Sequence, residues 1–321
     1  MLLKSKARLT SVLLVLVVFV FGLLDVALVV GDESSGWQVD VFTQKEPFSG
    51  VGFGEPSDAF APHEAVVLFA YVTYNLAPVQ NILVSYKVSG PPNIVQNISL
   101  SLVASTNDVG VAKVDFTIPW PGENAETITF GDWTIMANIE NASDYLCFRV
   151  GWIVEIASLN VMDEDPPQGG WLNVELRLEN IAMASKNVSL ALVLFDSLNQ
   201  IIGNLVVRNF SVDVGGTDFS SILQIPYWAA VGLGSVNASV YAPSGAPHCP
   251  GRSATFAISL LGDLNGDNKV DVKDVSIVAL AFGSHPGQPR WNPVADVNKD
   301  GGIDTKDVAL VAKNFGEAYS G

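Results

Sequence analysis

The sequence predicts a mainly β protein: two antiparallel β-sandwiches followed by a small α-helical module made of two acidic loop–helix repeats. Three observations carry this. Short runs rich in β-branched and aromatic residues recur from Trp37 to Leu261, divided by Gly-, Pro- and Asn-rich breaks. Their pattern restarts after Gly151-Trp152. Finally, a twelve-residue acidic loop occurs twice near the C-terminus, each copy followed by apolar residues at helical spacing.

Residues 1–31 read as a targeting segment. Lys4, Lys6 and Arg8 precede an apolar run from Val12 to Leu24, Asp25 interrupts it, and Val26–Val30 resumes. Two readings stay open. One is a secretory signal peptide cleaved near Gly31. The other is an uncleaved N-terminal membrane anchor, in which Asp25 would cost about 3 kcal/mol near the bilayer centre. In both, the bulk of the chain faces outward, and it touches a membrane only through this segment if that is uncleaved.

The first sandwich is expected over residues 32–152. Its strands are Val66–Tyr74, Ile82–Val88, Ile98–Val103, Val111–Ile118, Trp133–Asn138 and Tyr145–Val150, with breaks such as Ser89-Gly-Pro-Pro-Asn93 and Pro119-Trp-Pro-Gly122 between them. The second is expected over 153–260, with strands at Trp152–Val161, Trp171–Leu178, Val188–Phe195, Ile201–Val207, Ser221–Ile225, Val236–Tyr241 and Ala254–Leu261. Five Asn-x-Ser sequons, at Asn97, Asn141, Asn187, Asn209 and Asn237, are candidate glycosylation sites on an external protein. Cys147 and Cys249 either bridge the ends of the two middle domains or remain free thiols.

The last module, residues 261–321, holds Asp263–Asp274 and Asp296–Asp307, whose matched positions lie 33 residues apart. Loop positions 1, 3, 5, 9 and 12 are Asp, Asn, Asp, Asp and Asp in both: Asp263, Asn265, Asp267, Asp271 and Asp274, then Asp296, Asn298, Asp300, Asp304 and Asp307. A hard cation such as Ca²⁺ takes six to eight oxygens, and this alternation turns them inward from one tight turn. Position 7 need supply only a main-chain carbonyl, so Lys269 and Gly302 both qualify. Position 6 requires a sharp turn, which suits Gly301 and Asn268. Val270 and Ile303 at position 8 are apolar, as two loops paired back to back require. Val275, Val278, Ala279 and Phe282 then form a helical stripe stopped by Gly283, and Val308, Val311, Ala312 and Phe315 one stopped by Gly316.

This tandem resembles the type I dockerin domain. An EF-hand pair is the alternative, but it needs a helix before each loop, and Ala254–Leu261 reads as a strand. Position 12 is also Asp rather than Glu. The resemblance implies two Ca²⁺ ions held by the loop residues above and docking to a cohesin-like partner. It places docking positions at Val272, Lys273, Ala279 and Leu280 in the first copy, and at Thr305, Lys306, Ala312 and Lys313 in the second. Two features depart from the family: the Ser-Thr pair common in cellulosomal dockerins is absent, and three prolines in the 283–293 linker replace a short helix. Upstream, Val109–Pro119 followed by Gly131–Ile135 resembles a macroglobulin-type β-sandwich, and the second sandwich resembles immunoglobulin-like modules of microbial surface proteins.

A net charge of −16 and a pI near 4.4 argue against a nucleic-acid partner, which requires a basic face. No G-x-S-x-G, H-E-x-x-H or P-loop occurs, and His63, His248 and His285 lack ligand spacing. Asp163-Glu164-Asp165 reads as solvated acids in a Pro/Gly loop rather than carboxyls held across a cleft. Gly50–Gly54 lacks dinucleotide spacing and reads as a turn. Trp37, Trp120, Trp152, Trp171 and Trp228 are candidates for stacking on sugars, with core or strand-edge burial expected for most. The expectation is a non-catalytic exported surface protein that binds calcium and docks through its C-terminal module. The alternative is a polysaccharide-binding or polysaccharide-degradation accessory component. In a third reading the calcium pair only stabilises the C-terminus.

Overall fold

The structure is a computed structural model that describes residues 17–18, 23–24, 36–94, 96–162 and 165–319. Its contacts divide it into two units, Met1–Ile153 with Ile181–Met183, and Val154–Asn180 with Ala184–Gly321. It is mainly β, with several antiparallel sheets and a small helical region at the C-terminus.

In the first unit β1 (Val17–Val18) pairs antiparallel with β2 (Leu23–Leu24), and the rest of the expected targeting segment lies outside the described residues. Among the described residues no helix is long and apolar enough to cross a membrane. The body consists of β3 (Trp37–Thr43), β4 (Ala65–Tyr74), β5 (Ala77–Pro78), β6 (Leu83–Ser89), β7 (Ser99–Ser105), β8 (Val111–Thr117), the short helix α1 (Ala125–Thr129), β9 (Gly131–Ile139) and β10 (Ala142–Val150). One sheet holds β3, β4, β5 and β8; the other runs β10-β9-β6-β7.

Strict alternation decides what enters the core. Val66, Leu68, Ala70 and Val72 of β4 are fully buried, as are Val84 and Val88 of β6. Trp133 lies between Phe116 and Phe148, and its Nε1–H donates to the Thr129 carbonyl at 2.9 Å. The last residue of α1, a short helix that follows the Pro119–Gly122 break, thus supplies the acceptor that lets an indole be buried.

Two carboxyls sit beneath the Gly50–Gly54 turn. Asp144 accepts from the N–H of Val41 at 2.9 Å and of Gly54 at 3.1 Å, and Asp40 accepts from the N–H of Gly52. Burial pushes Asp40 up to about 6; the Gly52 N–H opposes the rise and the Asp144 charge adds to it. Burial also raises Asp144.

The second unit contains β11 (Val154–Val161), β12 (Trp171–Asn180), β13 (Lys186–Phe195), β14 (Ile201–Val212), β15 (Thr217–Gln224), β16 (Gly232–Tyr241) and β17 (Arg252–Ile258). Their sheets run β11-β12-β15 and β14-β13-β16-β17. Leu172, Val174, Leu176 and Leu178 from one sheet, and Leu190, Leu192 and Leu194 from the other, are buried. β14 continues past its expected end at Val207. Asn209 adopts a left-handed φ of 54°, and the register slips opposite Val188 and Leu190, so a bulge absorbs the extra residue and the ladder resumes. Cys147 and Cys249 are free thiols, one in each unit. Two helices follow, α2 (Val272–Ala281) and α3 (Thr305–Lys313).

Candidate metal loops and the helices that follow them

Each loop is wound by its own side chains. In the first, Asp263 Oδ1 accepts from Gly266 N–H at 2.9 Å and its Oδ2 from Asn268 N–H at 2.7 Å. Asn265 Oδ1 accepts from Asp267 N–H at 2.9 Å, while its Nδ2 donates to Asp267 Oδ2 at 3.1 Å. The second loop repeats this. Asp296 Oδ2 accepts from Gly301 N–H at 3.0 Å, and Asn298 accepts from Asp300 N–H at 2.8 Å and donates to Asp300 Oδ2 at 3.0 Å. Bonds from an Asx side chain to the backbone just ahead tighten a turn. Position 6 is left-handed in both copies, at φ 63° for Asn268 and 85° for Gly301. So is position 4, at 72° for Gly266 and 59° for Lys299. The lysine hides that second requirement from the sequence.

Positions 9 and 12 join each loop to its helix. Asp271 caps α2, accepting from Lys273 N–H at 2.7 Å, and Asp274 Oδ2 accepts from Asp271 N–H at 2.8 Å. Asp274 Oδ1 takes the N–H of Leu264 at 2.8 Å and of Asn265 at 3.2 Å. Asp304 and Asp307 make the same four bonds for α3, to Lys306, Asp304, Val297 and Asn298, at 2.7, 2.8, 2.8 and 3.2 Å. Asp274 and Asp307 are fully buried, each held by three N–H groups at a helix N-terminus.

Position 5 faces a lysine in both copies. Lys273 Nζ stands 2.8 Å from Asp267 Oδ2, and Lys306 Nζ 2.9 Å from Asp300 Oδ2. These bonds hold both carboxyls below their usual range and raise both lysines.

The donor set is one of hard oxygens: carboxylates, an Asn carbonyl and a main-chain carbonyl, as Ca²⁺ prefers. An ammonium at each loop's position 5 is already a cation standing in that field. Among the described residues no three His, Cys, Asp or Glu side chains form a finished metal cage. The carboxylates engage N–H groups and lysines instead, and part of the donor set is Asn and backbone. The residues fit such an ion, which would compete with the lysine for Asp267 or Asp300.

Val270 and Ile303 share one buried cluster, but among the described residues the backbone partners of each loop lie outside the other loop. Val270 exchanges backbone bonds with the segment after α3, donating to Glu317 O at 3.0 Å and accepting from Gly316 N–H at 2.8 Å. Ile303 does so with the segment after α2, donating to Ser284 O at 3.1 Å and accepting from Gly283 N–H at 2.8 Å. Neither loop follows a helix: β17 precedes the first and the turns of residues 284–295 the second.

The helical stripe also differs from the expected one. Val278, Ala281 and Val311 are buried with Val270, Ile303, Ala295 and Leu260, and Val275, Val308 and Trp291 pack against them. Ala279 and Ala312 face solvent, and Phe282 and Phe315 are 42% and 58% exposed. Both phenylalanines lie just beyond their helices, and at ψ 135° the backbone of Phe282 has left the helical path. The expected docking positions Val272, Lys273, Ala279, Leu280, Thr305, Lys306, Ala312 and Lys313 are all exposed.

Asn97, Asn141, Asn187 and Asn209 are exposed; Asn237 is half-buried and accepts from Ser253 Oγ at 2.7 Å. His285 Nδ1 lies 3.1 Å from the Gly301 carbonyl, His63 packs beside Trp120, and burial lowers His248. Asp163 and Glu164 of the acidic loop fall outside the described residues. Trp37, Trp120 and Trp152 are half-buried, whereas Trp171 and Trp228 are exposed.

Residues 261–316 match the dockerin type I domain, a match that implies calcium binding and docking to cohesins. No curated protein matches the chain. Many solved structures are similar to parts of it, three of which follow. The tetra-tandem repeat in the extending region of a large adhesion protein is 15% identical, over 63% of this chain and 49% of that chain, at a TM-score of 0.27. Escherichia coli alpha-2-macroglobulin is 11% identical, over 72% and 17%, at 0.30. The D0-D1 domain of intimin is 13% identical, over 68% and 97%, at 0.26. The chain therefore spans about half of the adhesion-protein structure and about a sixth of the macroglobulin.

Proposed function

We propose that this chain is a non-catalytic exported surface protein whose C-terminal module, residues 261–321, binds two calcium ions and docks to a cohesin-like partner. Two sandwich domains, 32–152 and 153–260, act as the spacer or adhesive body behind it. The observation that carries the reading is the duplicated loop network within the dockerin-matching region, whose four bonds from loop positions 9 and 12 recur across 33 residues. Asp263, Asn265, Asp267, Asp271, Asp274 and the Lys269 carbonyl hold one ion. Asp296, Asn298, Asp300, Asp304, Asp307 and the Gly302 carbonyl hold the other. The ions contribute structure: they neutralise crowded carboxylates and fix the helices that present the exposed positions on α2 and α3. The exposed sequons fit glycosylation outside the cell, and residues 1–31 supply export.

The test is capture of a panel of cohesin domains by the full chain in calcium, followed by chelator elution. Retention of a cohesin in calcium and its release by EDTA is the expected result. Binding that persists in excess EDTA, or no cohesin bound at all, overturns the reading.

A polysaccharide-binding role is the second reading. The outer face of β11-β12-β15 carries a groove of about 380 Å³ lined by Ser158, Asn160, Glu175, Arg177, Asp218 and Ser220. Exposed Trp171 stands on the same face of β12, since Trp171, Glu175 and Arg177 alternate with buried Leu172, Val174 and Leu176. Polar fork-shaped side chains with an exposed indole suit a sugar. A glycan array probed with the full chain tests it, and absence of any bound glycan removes it.

A further inference from the structure

The two loop–helix repeats are alike in their capping bonds and first helical turns, so by themselves they would offer a partner two similar faces. The neighbouring sandwich adds contacts of its own beside the second helix. Asn314, just after α3, donates Nδ2–H to the Leu261 carbonyl at 2.7 Å, and Val231 of the loop before β16 packs into the helical core. That loop is firmly held. Ala229 N–H donates to Pro226 O at 3.1 Å and Gln168 Nε2–H to Ala229 O at 2.7 Å. Ala230 N–H donates to Asp196 Oδ2 at 3.0 Å and Ser197 Oγ–H to Val231 O at 2.7 Å. On it Tyr227 is 55% and Trp228 64% exposed. The Tyr227 ring lies over Gly169, where any Cβ would strike it, and Lys313 Nζ of α3 stands 5.9 Å from its centroid.

We propose that Tyr227 and Trp228 extend the docking face of α3, so that the cohesin partner engages the second repeat together with this loop rather than the first repeat. The inference rests on the docking function proposed above and adds to it an orientation and two residues outside the matched region. Large aromatic side chains on an already ordered loop are the usual carriers of interface energy, because little conformational freedom remains to be lost on binding. The patch is continuous with a docking position, since Lys313 is the residue that reaches Tyr227. At the matching place in the first repeat stands Leu280, an exposed aliphatic side chain.

The test is calorimetric titration of the full chain, in calcium, with the cohesin domain that the wild type binds most tightly from the panel. Trp228→Ala, the pair Tyr227→Ala with Trp228→Ala, Ala312→Asp and Leu280→Asp are compared, with circular dichroism and calcium titration as folding controls. The Trp228→Ala and paired variants are expected to weaken binding about tenfold or more, and Ala312→Asp at least as much. Leu280→Asp is expected to weaken binding clearly less than Ala312→Asp. Binding that ignores Trp228, or that falls with Leu280→Asp as far as with Ala312→Asp, overturns the orientation while leaving docking intact. A wild type that binds no cohesin overturns the docking function and this inference with it.

Discussion

The N–H of Gly283 meets the carbonyl of Ile303 at 2.8 Å, so the end of the first helix is tied to the middle of the second loop. The reciprocal tie, Gly316 to Val270, is also 2.8 Å long. Each repeat thereby closes the other, and neither Ile303 nor Val270 has its buried site without its partner helix. Truncating Ile303, 1% exposed, to Ala should cost about 2–5 kcal/mol through lost burial and the cavity left behind. The loss should appear as melting of both helices at once. Helical signal from the first repeat surviving in Ile303→Ala while the second is lost would contradict this mutual closure.

Calcium should be worth about 4 kcal/mol per site wherever its concentration is a thousandfold above the dissociation constant. Asp307→Asn keeps an acceptor for the N–H groups of Val297 and Asn298 but removes the charge at loop position 12. Calorimetry of the wild type should show two calcium equivalents, and of Asp307→Asn one. Two undiminished equivalents in the variant would remove Asp307 from the ligand set.

The loop at Tyr227 depends on Asp196, which is buried and accepts from the N–H groups of Leu198 and Gln200 through one oxygen and of Ala230 through the other. Asp196→Ala strands three donors, at about 1–3 kcal/mol for each that finds no water. Urea unfolding should report that loss, and Asp196→Asn should recover most of it.

Much of this was legible from residue order. The strand series, the sandwich restart and the acidic repeats follow from period-2 burial and from a 33-residue echo of Asp and Asn. The errors are instructive. Phe282 and Phe315 fit a helical stripe by spacing, but the helices end before them, and spacing does not register where a backbone turns away. Val270 and Ile303 were recognisable as apolar and buried, whereas their backbone partners lie on the far side of a module that the repeat alone cannot orient. In the Tyr227 loop the sequence offered only Trp228, as one of five tryptophans for stacking on sugars. The loop's meaning comes from what surrounds it: Gly169 beneath, Asp196 at its root and Lys313 alongside.

Stability should also fall as pH rises from about 4 to 6, because of Asp40. Its carboxyl titrates near 6 in the fold against 3.8 for the free group, chiefly because burial disfavours the charge. The folded state therefore holds a proton that the unfolded chain has released across this window. The stability is fully present below the unfolded pKa and is lost as pH passes the folded one. At 1.36 kcal/mol per unit the difference is roughly 3 kcal/mol, and Asp144, also raised by burial, acts with the same sign. Asp267 and Asp300 act oppositely: their pKa values are lowered, so their contribution is lost only as pH falls below the ordinary carboxylate range, outside this window. Asp40→Asn keeps an oxygen for the Gly52 N–H and removes the charge. Urea unfolding at fixed calcium should show wild-type stability declining between pH 4 and 6, a flatter profile in Asp40→Asn, and a variant more stable than wild type at pH 7. A variant profile as steep as that of the wild type would mean that the proton is bound elsewhere.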